Sequence, residues 1–485
     1  MTKNGLAEGE IKRVEITFPF ILIRTKKGLS IIESIGQFGF IKKIGWFLLY
    51  IFPIVSVIGF YLILWAVVSY ISNTALRDFA REITPLANLL IPGINPYLPI
   101  VYGWIGLIVA MIVHEGAHGI LARSLRIPVK SSGVILLLVL PIGAFVDVDE
   151  KELQKAKARD SGRVLAAGPG SNIITGLIAL LGLLLVLSSM APIANGVGVI
   201  GIVENSPAQK TGIELNDIII RVDDFSVTSA SDFEDALQLY GAGVIVNLTS
   251  VRDGNTIDYK LILPNGPVIV GFWQDFPAKQ AGVQVEDTII MLNGIRVSSL
   301  KEFENTLSSM DPGDIITLTI ERGITPLNYT MALASNPQNS SQPILGVMLT
   351  DPSGSHGIRY AGLDDILNEY RPFGSTSPLF YFLLPTLAPY NVPFSDVMIN
   401  FYTSSLGYAL YPLANLLFWI WFININLAIF NTLPIYPLDG GVAFRVFLRA
   451  IAKKRLSEKV IKRITGGVTI AMISLVVLML AVPYL

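Results

Sequence analysis

The sequence predicts an α-helical polytopic membrane protein of about five spans, with a membrane-associated β-hairpin and two extracytoplasmic α+β modules. Three observations predict it: apolar stretches of bilayer length, an alternation of basic charge between them, and an internal duplication at an offset of seventy residues.

Of the 485 residues, 52% are hydrophobic and only 15% charged, a balance that suits a bilayer better than a soluble core. A hydrocarbon core takes roughly 20 apolar helical residues, and residues 45–71, 99–122, 164–190, 413–433 and 464–485 meet that length. Lys and Arg number eight before the first stretch, two in 72–97, eight in 123–163 and eight in 436–463. By the positive-inside rule, segment 1–44 and the two basic loops are expected in the cytoplasm and 191–408 outside. Basic residues from Lys3 to Lys43 precede the first apolar run, so that run is expected to be an uncleaved anchor, not a signal peptide. The expectation is a multi-pass protein of the plasma membrane, with the lipid bilayer as its constant partner. Lys+Arg 36 against Asp+Glu 37 gives no reason to expect nucleic acid. With no cysteine in the chain, disulfides and thiolate ligation are excluded, and any metal must use His, Asp or Glu.

The run 134–145 is apolar, too short to span, and interrupted by Pro141 and Gly143. Bare backbone is not tolerated in lipid, so this run is expected as a hairpin dipping into the membrane against protein.

The duplication lies in the external segment. Ser206-Pro-Ala-Gln-Lys-Thr-Gly212 followed by Asp217-Ile-Ile returns as Phe276-Pro-Ala-Lys-Gln-Ala-Gly282 followed by Asp287-Thr-Ile, and Phe233 and Leu237 match Phe303 and Leu307. Repeats fix domain units, here 196–265 and 266–335. Both copies resemble PDZ domains of the bacterial protease type. That resemblance implies peptide strands added to a sheet edge and C-terminal carboxylates held by backbone N–H groups. The expected carboxylate loop is Gly196, Val197, Gly198 and Val199, so peptide C-termini are expected at the first module. The second copy has Pro267, which lacks an N–H, and Val268, which resists positive φ. The other reading of the modules is a spacer that limits access.

Residues 336–408 read as a linker and membrane-surface segment, between a first membrane region at 45–190 and a second at 409–485. The sequons at Asn247, Asn328 and Asn339 all fall outside.

The chemistry lies in the second apolar stretch, as His114-Glu115-Gly116-Ala117-His118. Two His at i and i+4 share a helical face, so both imidazoles reach one Zn²⁺, with the intervening Glu placed as general base. The chain has three His in all, and the third, His356, is expected as an ordinary surface residue. Ionisable groups inside a membrane are functional by default. A catalytic zinc takes three protein ligands, and the cytoplasmic end of the fourth stretch offers Asn431-Thr-Leu-Pro-Ile-Tyr-Pro-Leu-Asp439-Gly-Gly. Pro434 and Pro437 cannot continue the helix and Gly440 and Gly441 permit a tight turn, so the segment is expected to point Asp439 back toward the two His at matching depth.

His114-Glu-Gly-Ala-His118 in one span, Asn431-x-x-Pro-x-x-Pro-Leu-Asp439-Gly in a later one, and PDZ-like modules between them resemble the site-2 protease family of intramembrane zinc metalloproteases. The resemblance covers about 101–445. It implies His114, His118 and Asp439 as zinc ligands, Glu115 as general base and Asn431 near the scissile peptide. Ala167-Gly168-Pro169-Gly-Ser-Asn172 resembles a family element lining the site, and 16–23 with 134–145 resemble its membrane-associated strands. For Asn431 and Asn172, plain interhelical hydrogen bonding is the alternative. The implied substrates are single-span membrane proteins, already shortened outside, whose cleavage releases a cytoplasmic fragment. A second function class is an inactive membrane PDZ adaptor with a structural zinc. A third, a metal transporter, fits poorly with one buried motif and large external modules.

Overall fold

The computed structural model describes residues 14–26, 28–137, 140–204, 206–273, 276–323, 325–365, 394, 399–453 and 455–485. The chain divides into two units. The first comprises 1–188, 378–394 and 408–485, the second 189–377 and 395–407.

Among the described residues, five helices are long and apolar enough to cross a membrane: Gly39–Ser72, Ile100–Ser124, Ala158–Leu187, Gly407–Thr432 and Glu458–Tyr484. Several begin ahead of the apolar stretches, because charged turns such as Arg159 to Arg163 continue the helix beyond the segment that hydropathy selects. The fifth is capped by Ser457, whose side chain accepts the N–H of Val460, satisfying one unpaired donor of the first turn. The second, third and fourth helices pack against one another and bury 33%, 39% and 44% of their apolar windows, against 17% and 11% for the first and fifth. The interior trio carries the buried His114, His118, Asn172, Asn415 and Asn424.

Within the run 134–145, residues 134–137 and 140–145 lie in two paired strands, in line with the expected hairpin. Strands Val129–Leu137 and Leu140–Val148 pair antiparallel, and Phe20–Thr25 and Val14–Thr17 extend them into a four-stranded sheet. Leu140–Val148 is thus an edge strand, with one row of backbone groups left for other partners.

The second unit holds two similar modules. The first sheet runs Asn255–Ile262, Ile245–Arg252, Ile218–Val222, Val197–Ile202 and Ile358–Gly362. In the second the order is Thr325–Ala332, Ile315–Arg322, Thr288–Leu292, Val268–Phe272 and Val347–Thr350. Helices Ala230–Gln238 and Leu300–Ser308 supply Phe233 and Phe303 to the two cores. Each core pairs the buried face of its helix with alternate residues of the strands, such as Val246 and Leu248 or Ile316 and Leu318.

Two boundaries need correction. The last strand of the first sheet comes from Ile358–Gly362 and that of the second from Val347–Thr350, so neither module ends at 265 or 335, and the second is inserted in the chain of the first. Accordingly 336–362 is not a linker. It also contains the hairpin of Ala334–Asn336 with Asn339–Ile344. Mixed composition hid the two closing strands, because Ile358–Gly362 pairs with Val197–Ile202 and Val347–Thr350 with Val268–Phe272, partners far off in sequence that leave no local period. Much of the remaining surface segment, 366–393 and 395–398, lies outside the described residues.

Candidate metal centre and catalytic base

His114 and His118 lie one turn apart in Ile100–Ser124, each 9% exposed. Asp439 reaches them from the far end of the chain. The fourth helix stops at Thr432 and a new helix starts at Asp439, preceded by Leu438 in extended conformation. The prolines remove the N–H groups that would have continued the first helix. A Cβ on Gly440 would meet the carbonyl oxygens of Thr432 and Leu433, so only glycine lets the returning chain cross the helix end this closely. Asp439 then occupies the first turn of its helix, where the dipole favours an anion.

The three side chains converge. His114 Nε2 lies 3.1 Å and His118 Nε2 3.3 Å from the same oxygen, Asp439 Oδ2, and all three potential ligand atoms fall within 4.8 Å of one another. A tetrahedral zinc with arms of about 2.0–2.1 Å sets its ligands about 3.3 Å apart, so the donor set fits that ion. Tautomer chemistry agrees. His118 Nδ1 stands 2.7 Å from the carbonyl oxygen of Val164. A carbonyl only accepts, so Nδ1 carries the proton, and a ring that gave up any proton on Nε2 would offer a bare lone pair there. That lone pair faces a carboxylate oxygen, and a cation between them turns repulsion into ligation.

Glu115 follows His114 on the helix, and its Oε2 accepts the backbone N–H of Val146 at 2.9 Å. Glu115, His118 and Asp439 line one cavity of about 750 Å³, together with Arg24, Tyr436 and Arg445. Gly168 belongs to the site directly. A Cβ there would stand 2.6 Å from His114 Nε2 and closer still to His118 Nε2. Pro169 is buried in the third helix, which runs on through it. Asn172 is fully buried, with its amide 3.3 Å from His114 Nδ1. Asn431 is half-buried near the end of the fourth helix, and its side chain makes no hydrogen bond among the described residues. Sequence reasoning missed Val146 and Val164, whose contributions are backbone groups with no side-chain signature.

Two expectations outside this site fail. Gly196 to Val199 form no anion-binding loop. Val197 and Val199 are 0% exposed in an interior strand, the Val199 N–H donates to the Asp217 carbonyl, and Ile358–Gly362 covers the other edge. Backbone N–H groups already spent in a ladder cannot hold a carboxylate. His356 is not a surface residue. It is 5% exposed beside Phe233 and Tyr360, its Nδ1 accepts the Ile358 N–H at 3.0 Å, and burial pushes its pKa down to about 4.

With this geometry in view, comparison with known families decides the assignment: the profile of peptidase family M50 matches residues 102–478. The chain belongs to peptidase family M50, the site-2 protease family. It is similar to an uncharacterized protein of Methanocaldococcus jannaschii, 31% identical over 249 residues, covering 51% of this chain and 63% of that protein. The zinc metalloprotease RasP of Shouchella clausii is 26% identical over 231 residues, covering 47% of this chain and 52% of that protein. The protease RseP of Yersinia pestis is 26% identical over 215 residues, covering 41% of this chain and 47% of that protein. The chain thus spans about half to two thirds of the length of these relatives. Among solved structures, the PDZ domain of an SdrC-like protein from Listeria monocytogenes matches 22% of this M50 chain and 96% of that domain, at 19% identity and TM-score 0.17.

Proposed function

We propose that this M50 member is an intramembrane zinc metalloendopeptidase that hydrolyses peptide bonds within or next to transmembrane helices of membrane-anchored regulatory proteins. The observation that carries the reading is the convergence of His114, His118 and Asp439, from two helices far apart in sequence, beside the carboxylate of Glu115.

The two imidazoles and the Asp439 carboxylate would hold zinc, which when bound would supply a Lewis acid for the peptide carbonyl and acidify water toward neutral pH. Glu115 takes the proton of the attacking water at its carboxylate and returns it to the leaving amine. The Val146 N–H holds that carboxylate in place while it does so. Asn431, with its amide uncommitted, donates to the substrate carbonyl as negative charge develops there. A substrate helix hides its carbonyls in i to i−4 bonds, so it unwinds before attack. An intact and tethered Glu115 argues against the adaptor reading, since a structural metal needs no base.

The charge alternation supports an orientation in the plasma membrane with the modules outside and the site near the cytoplasmic face. Substrates would be single-span proteins shortened outside by an earlier cleavage. The two modules, read as PDZ domains, would exclude uncut proteins or take the new C-terminus, with Ile358–Gly362, the last strand of the first sheet, as the place for an added peptide strand.

The test is cleavage of a transmembrane substrate by purified wild type and Glu115→Gln, with bound zinc measured in both. Zinc retained without cleavage in the variant is expected. Equal cleavage would sink the assignment of the base.

A further inference from the structure

We propose that Asn172 is a positioning residue that fixes the tautomer of His114 by accepting its Nδ1 proton, which leaves Nε2 bare for the metal. The proposal rests on the reading that His114, His118 and Asp439 hold zinc.

Asn172 is 0% exposed. Its Nδ2 stands 3.3 Å from His114 Nδ1, and its Oδ1 has no hydrogen-bond partner among the described residues. The two ends of a primary amide have the same shape and opposite roles. With Nδ2 toward the ring, Nδ1 accepts and the ring proton sits on Nε2, the atom facing Asp439. Turned over, Oδ1 accepts from Nδ1–H and the Nε2 lone pair is free. Either orientation keeps one contact and leaves the other amide end unpaired, so the bond count does not choose. The demand at Nε2 does. A buried ligand His needs such a partner, because a ring free to choose its tautomer binds metal with only part of its population.

The third helix treats both imidazoles alike. His118 Nδ1 donates to the Val164 carbonyl, eight residues before Asn172 and so about two turns away on the same face. His118 and His114 are one turn apart on the second helix. The later His meets the earlier partner, as antiparallel helices require. For His118 a backbone carbonyl fixes the tautomer unaided. For His114 the acceptor is a side chain, and therefore open to substitution.

The experiment measures zinc affinity of the purified full-length protein by chelator competition, for wild type, Asn172→Leu, Asn172→Asp and Asn424→Leu. Asn424 serves as the control. It is likewise 0% exposed in a membrane helix, and its Oδ1 has no partner among the described residues, so its loss reports any general effect of removing a buried amide. Asn172→Leu is expected to weaken zinc binding roughly 10- to 100-fold. Asn172→Asp keeps an acceptor and is expected to bind like wild type or tighter, and Asn424→Leu like wild type. Unchanged affinity in Asn172→Leu would overturn the proposal, as would an Asp variant as weak as Leu, or an equal loss in Asn424→Leu. Absence of zinc binding in wild type would instead remove the metal reading itself.

Discussion

Glu115 Oε2 accepts the backbone N–H of Val146 at 2.9 Å, which ties the proposed catalytic base to the edge strand of a sheet. Val146 pairs with Ser132 across the one neighbour its strand has. Proline is tolerated on an edge strand, so Val146→Pro removes this N–H with limited damage to the sheet. A general base contributes about 10²–10⁴-fold, and loss of its tether, with the carboxylate retained, is expected to lower kcat about tenfold at unchanged zinc content. Wild-type turnover in the variant would mean that Glu115 keeps its place without the strand.

Gly168 sets the space available to the metal. Its absent side chain is the gap into which both imidazoles point, so Gly168→Ala is expected to abolish stoichiometric zinc binding. Gly466, in the fifth helix, has open space for 4 Å around the point where a Cβ would stand, so Gly466→Ala is expected to retain zinc and to stabilise that helix by roughly 0.5–1 kcal/mol. Metal analysis of the two purified variants distinguishes the outcomes, and a full zinc complement in Gly168→Ala would show that the imidazoles yield.

The different visibility of these residues in the sequence has physical causes. His114, Glu115 and His118 are legible because a helix places i and i+4 on one face, so linear spacing is already geometry. Asp439 requires a second signal, the proline and glycine residues that end one helix and let the chain double back. Five spans can be found because lipid imposes a length on apolar runs. The last strands of the two modules are not legible. Ile358–Gly362 pairs with Val197–Ile202 across an entire inserted module, and nothing in a five-residue strand records such a partner. The same insertion defeats the expected loop at Gly196, since the edge it needs is filled from downstream. His356 misleads because polarity suggests a surface, whereas an imidazole with one nitrogen satisfied by Ile358 packs between aromatic rings.

Asp217 and Arg252 face each other through paired hydrogen bonds of 2.5 and 2.7 Å, and seventy residues on Asp287 and Arg322 repeat them at 2.7 and 2.7 Å. Both carboxylates are buried, at 0% and 1% exposure. Taking one partner from such a pair leaves a poorly solvated charge and costs about 3–5 kcal/mol. Asp217→Asn is expected to destabilise the first module in that range. Asp287→Asn should cost a comparable amount, because Arg322 is more exposed than Arg252 but Arg252 keeps a second carboxylate, Glu214, at 2.8 Å. Proteolytic susceptibility of the two modules in the full-length protein across a urea series measures both. Losses under about 1 kcal/mol would show that the repeated pair is a marker of ancestry with little structural weight.

His356 gives the first module a pH dependence. Burial lowers its pKa from 6.5 to about 4, so between those values the unfolded chain binds a proton that the folded module refuses. Stability from this residue is therefore complete above about pH 6.5 and lost progressively as pH falls toward 4. At about 1.4 kcal/mol for each tenfold change in proton affinity, the full loss is about 3 kcal/mol, undiminished by solvent because the ring is buried. His356→Gln keeps an acceptor for the Ile358 N–H and removes the titration. The expected result is a wild-type stability that falls more steeply than the variant's between pH 6.5 and 4, read by hydrogen exchange in Ile358–Gly362. Parallel curves for the two proteins would place the pH response elsewhere in the module.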